Sequence, residues 1–189
     1  MASNQVLIEA GQQVLFNNPA SYAPAAALSD IEAASTSDVQ IDLTAILTTE
    51  ARASTKADLG AQRAPEYSVT AAIEMQATPT TGTTWDFYWA ASAVAADGTG
   101  NPGGVTGTDA DYTGTPATLA EGLSHLIFIG SLLMTADVSI QVGNVGVFSP
   151  PTQHGMLVCV NNSGATSHTD VIETAIAFDP IIPDIQAAA

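Results

Sequence analysis

Four aromatic rings fall within five positions, with Trp85, Phe87, Tyr88 and Trp89 set around Asp86. Bulky rings fit a pleated surface and pair across neighbouring strands, so this segment predicts a β-strand. Successive side chains of a strand point to opposite faces. Trp85, Phe87 and Trp89 therefore share one side, and Asp86 and Tyr88 the other. The same alternation sets Val39, Ile41 and Leu43 against Gln40, Asp42 and Thr44, and it returns along 67–75. A strand with one wet face is predicted over 51–59, presenting Arg52, Ser54, Lys56 and Asp58. Apolar runs over 126–134, 138–148, 156–160 and 171–178 complete the pattern, punctuated by Gly, Pro, Asn and Asp.

Roughly eight or nine short strands with no amphipathic helix predict an all-β chain, an antiparallel β-sandwich. A jelly roll is the specific expectation, and an immunoglobulin-like sandwich is its competitor. Residues 1–37 are expected to form an N-terminal strand or arm region. It includes strands over 6–10 and 13–16, then an Ala/Ser-rich stretch that suits either a helical turn or an extended arm. The sandwich is expected over 38–179, and 180–189 form an extended tail because Pro180 and Pro183 oppose a helix. The few large aromatics, including Tyr88, Phe128, Phe148 and Phe178, are expected core markers of a single layer between two sheets. Residues 95–118 lose almost all apolar content. A loop of that length inside a domain implies a purpose.

Nineteen acidic residues face only three basic ones, for a net charge of -16. Nucleic-acid binding requires clustered Lys and Arg to displace counterions, and an anionic membrane surface makes the same demand. Both partners are excluded as expectations. No run is long and apolar enough for a transmembrane helix. The start of the chain lacks a basic stretch ahead of an apolar one, so no signal peptide is expected. The single Cys159, within an apolar run, reads as a buried small hydrophobe. The three cations, Arg52, Lys56 and Arg63, form the candidate partner-binding site. One positive spot on an acidic chain can dock an acidic patch of a partner or symmetry mate. The alternative is internal pairing with Glu50, Asp58 or Glu66.

No catalytic or metal-binding residues are expected. His125, His154 and His168 lack metal-type spacing, and Ser124 beside His125 on a strand would face the opposite way. Asp109 and Asp111 sit on a polar loop with Tyr112 as the only nearby ring, which fits a solvated loop better than a glycosidase cleft. Asp97, Thr99 and Asn101 alternate like the start of a calcium loop. Pro102 replaces the turning glycine, however, and the closing bidentate Glu is missing. No cofactor is expected and a small-molecule ligand is disfavoured.

Trp85-Asp86-Phe87-Tyr88-Trp89-Ala90-Ala91-Ser92, the loop Asn101-Pro102-Gly103-Gly104 with Asp109-Ala110-Asp111-Tyr112, and Ile129-Gly130-Ser131-Leu132-Leu133-Met134 resemble small structural proteins of tailed bacteriophages. The run from Phe148-Ser149-Pro150-Pro151 to Asn161-Asn162-Ser163-Gly164 extends the resemblance. It implies a capsid decoration (cement) protein with a jelly-roll body. Such a protein assembles as a homotrimer on the virion surface, stabilises the lattice of the major capsid protein, and performs no catalysis. A tail or fibre component using 95–118 to contact the host, and a carbohydrate-binding module, are the alternatives.

Overall fold

The computed structural model describes residues 12–24, 30–34, 36–61 and 63–182. The expected strand over 6–10 and the tail beyond residue 182 lie outside the described residues. The strands are β1 (Gln13–Asn17), β2 (Thr36–Gln40), β3 (Ala51–Ala53), β4 (Ala57–Asp58), β5 (Glu66–Ile73) and β6 (Thr84–Ser92). A 3-10 turn (Pro102–Gly104), β7 (Ala110–Asp111) and the short helix α1 (Leu119–Leu123) follow. The chain continues through β8 (Ile127–Leu133), β9 (Gln141–Phe148), β10 (His154–Asn162) and β11 (Ala175–Ile181).

One sheet has the order β2-β1-β11-β5-β9 and the other β7-β3-β10-β6-β8, with β4 also paired to β10. Four antiparallel pairs are nested like a hairpin rolled on itself: β1 with β11, β3 with β10, β5 with β9, and β6 with β8. Without the short flanking strands the two orders are β1-β11-β5-β9 and β3-β10-β6-β8. That arrangement is the jelly roll's and not the immunoglobulin sandwich's.

The alternation predicted for the aromatic strand holds. Trp85, Phe87 and Trp89 are fully buried and meet the other sheet through rings. Trp89 lies 6.3 Å from Phe16, 5.5 Å from Phe148 and 5.7 Å from Phe178 between centroids. Each such side chain removed from water contributes roughly 1.5–3 kcal/mol. Val39, Ile41 and Leu43 are buried as expected, although the ladder of β2 ends at Gln40.

Several features depart from expectation. The strand expected over 13–16 in the N-terminal region belongs to the sandwich itself, since β1 is buried throughout and paired on both edges. The strand expected over 51–59 is split: Ser54 breaks the ladder, and its hydroxyl oxygen accepts the Leu157 N–H at 3.0 Å. β11 runs through Pro180 to Ile181, past the expected start of the tail. Pro180 lies beyond the last residue paired to β1, so among the described residues β11 has only β5 beside it there. The core is also not a single layer. Val105, Tyr112, Leu119, Leu123 and Leu126 lie over Ala90, Met156 and Val158, so much of the long loop and α1 roof the outer face of the second sheet.

Candidate interaction surface

Two of the three cations hold that roof down. Arg52 lies on β3 between buried Ala51 and Ala53, on the same face as its cross-strand partner Cys159 and directly opposite Asp111 of β7. Its Nε donates to Asp109 Oδ1 at 2.6 Å and its Nη1 to Asp111 Oδ1 at 2.8 Å. The Gln40 amide and the Asp42 N–H also donate to Asp109. Burial alone would lower the Arg52 pKa, but the hydrogen bonds and charge of the two aspartates outweigh it and raise the value. Lys56, in the gap between β3 and β4, sends Nζ into a ring of four oxygens. They are Ser92 Oγ at 3.1 Å and the carbonyls of Val94 at 3.2 Å, Ala96 at 2.6 Å and Thr99 at 3.1 Å. Burial lowers the Lys56 pKa, and nearby Asp97 offsets only part of that. Arg63 makes one long contact, 3.5 Å to the Pro151 carbonyl. The trio is thus divided: Arg52 and Lys56 bind the chain's own loop, through partners other than Glu50, Asp58 and Glu66.

This arrangement also engages the residues that resembled a calcium loop. Asp109 and Asp111 belong to Arg52, and the Thr99 carbonyl faces Lys56. The buried Asn101 amide has no hydrogen-bond partner among the described residues. Among the described residues no three His, Cys, Asp or Glu side chains converge in a metal-holding group.

The histidines are separated. His154 opens β10 with Nδ1 3.7 Å from Asp58, and His168 lies past the other end of that strand, 3.6 Å from Glu74. Ser124 and His125 occupy the turn after α1 instead of a strand, and Ser124 Oγ donates to the Glu121 carbonyl at 2.7 Å. Cys159 is buried, and desolvation pushes its thiol pKa well up, away from the nucleophilic thiolate. Trp85, Phe87 and Trp89 face the core, so they cannot form the exposed aromatic row that a carbohydrate-binding face uses. Among the described residues no helix is long and apolar enough to cross a membrane.

The surface that sequence reasoning missed is the edge formed by β8 and β9. Phe128 is 54% exposed, Leu133 63% and Val147 59%, and Ile127, Val138 and Val142 are exposed beside them. Residues 126–134, an apolar run with Phe128 expected in the core, instead form a half-exposed sheet edge. One sequence signal pointed here: residues 122–169 contain no cation and a single acid, Asp137. The two edge strands approach closely. Gly130 packs against the Val145 carbonyl, where any Cβ would collide. Exposed apolar side chains on unpaired strand edges favour association with another surface.

Compared with known proteins, the chain matches no family model. It likewise matches no curated protein and no solved structure.

Proposed function

We propose that this chain is a non-enzymatic structural protein that docks on a protein lattice through its β8–β9 edge. The specific form of that role is a tailed-phage capsid decoration protein. It binds the outer surface of the major capsid protein lattice as a homotrimer and reinforces it. The observation that carries the reading is the acid-poor apolar edge on an otherwise strongly acidic sandwich. Net charge keeps such a chain from associating indiscriminately, while the apolar β8–β9 edge gives it a place to adhere. The phage resemblance contributes the lattice. A jelly roll alone supports many unrelated roles.

The double variant Phe128→Ser/Leu133→Ser tests it, because both side chains are more than half exposed and tolerate polarity without loss of the core. The wild-type chain added to undecorated phage heads is expected to co-sediment with them and raise their heat resistance. The folded variant is expected to remain in the supernatant. Equal binding by both chains, or no binding by the wild type, overturns the proposal.

A further inference from the structure

The turn between β2 and β3 holds two non-glycine residues at positive φ, Ala45 at 53° and Thr49 at 71°. L-residues with a Cβ adopt that region sparingly. A buried polar network enforces it here. Ser167 Oγ accepts the Ile46 N–H at 2.7 Å and donates to the Leu43 carbonyl at 2.6 Å. Asn161 Nδ2 donates to the Ile46 carbonyl at 2.8 Å, and the Thr49 N–H donates to the Asn161 carbonyl at 2.6 Å. This rigid turn forms one wall of a cleft of about 250 Å³, and the segment leaving β7 toward α1 forms the other. Buried Ile46, Ala51 and Tyr112, with partly buried Leu119, make an apolar floor. Glu50 and Asp111 are also among the lining residues, and both are exposed.

We propose that this cleft receives one lysine or arginine side chain from a basic segment of a partner protein. The floor suits the methylene stem of such a side chain, and the two exposed carboxylates suit its cationic head. Their charges are incompletely balanced. Among the described residues, Asp111 gives only Oδ1 to Arg52, and the Glu50 carboxylate accepts only the Leu47 backbone N–H, at 2.9 Å. The volume lies below the roughly 300 Å³ at which pockets begin to hold drug-sized ligands, which favours a single inserted side chain. The cleft lies at the β7 edge of its sheet, and β8 is the opposite edge. It therefore stands independently of the lattice-docking proposal.

The ¹⁵N-labelled full chain titrated with acetyl-Gly-Lys-Gly-amide, and with its arginine and norleucine counterparts, provides the test. The two cationic peptides are expected to give saturable amide shifts at Thr49, Glu50, Asp111 and Thr113. Glu50→Gln retains an acceptor for Leu47 and is expected to weaken both by roughly threefold, as does Asp111→Asn. Norleucine binding as well as lysine, shifts spread over the acidic surface without saturation, or unchanged affinity in both variants overturns the assignment.

Discussion

The indole of Trp89 lies over Gly155 on the neighbouring strand, so close that a Cβ at position 155 would overlap the ring. Trp89 pairs across the ladder with Leu157, which places Gly155 diagonally on the same face. The missing side chain leaves room for the indole, which meets Phe16, Phe148 and Phe178 of the other sheet. Gly155→Ala is therefore expected to displace the ring and cost about 1–3 kcal/mol. A urea titration checks this: the midpoint falls and the slope stays unchanged.

Lys56→Met removes the cation at the centre of four oxygens and leaves the carbonyls of Val94, Ala96 and Thr99 without that donor. Hydrogen bonds to charged groups contribute about 1.5–3 kcal/mol each, but these share one partly exposed ammonium. Local opening of 92–107 is expected to become easier by about 1–3 kcal/mol in total. Hydrogen exchange at the Gly98 amide, bonded to the Thr106 carbonyl, should accelerate accordingly. Amides of β6 and β10 should keep their protection.

Arg52 and Asp109 are both mostly buried, with side chains 21% and 13% exposed. Their coupling is therefore expected to exceed that of an open surface pair, at about 1–2 kcal/mol. A double-mutant cycle with Arg52→Met and Asp109→Asn measures it. Arg52→Lys should recover little, because an ammonium cannot fork between Asp109 and Asp111 as a guanidinium does.

Two carboxylates impose opposite pH dependences. Burial raises the Glu74 pKa, and Glu173 and Asp170 add to that against the opposing pull of His168. The folded chain thus holds this proton more tightly than the unfolded chain. The contribution of Glu74 to stability falls as pH rises from the ordinary glutamate value through the raised one. At Asp58, burial opposes the charge, but the Gln153 amide, the Gly60 N–H and His154 together bring the pKa below its ordinary value. That stability is present above the ordinary aspartate value and is lost as pH falls through the lowered one. Melting temperatures of Glu74→Gln and Asp58→Asn between about pH 3 and 7 should diverge from wild type in opposite senses: Glu74→Gln gains most at the upper end, and Asp58→Asn loses most there.

Alternation located the inward faces at Trp85, Phe87 and Trp89 and at Val39, Ile41 and Leu43, because a two-residue period is a local property of the chain. The scarcity of large aromatics, which marked Phe128 for the core, misplaced it. The register between β6 and β8 slips at Phe87/Tyr88, and Ile129 is the extra residue. Phe128 is thereby turned out against Tyr88, 5.2 Å away between ring centroids. A bulge leaves no mark in composition, and one residue of slip exchanges the faces. The partners of Arg52 were hidden for another reason. Asp109 lies 57 positions along the chain, and only the tertiary fold places β7 beside β3. The β8–β9 edge was obscured because an apolar residue facing water alternates like one facing the core.

The β2 edge differs in character from the β9 edge. β2 joins β1 in parallel and exposes Ser37 and Asp38, whereas β9 exposes Val142 and Val147. If the β9 flank docks as proposed, a body with one apolar and one acidic flank can sit on an array or terminate one. Among the described residues the apolar flank proposed for docking has no counterpart along β2 with which to grow a filament.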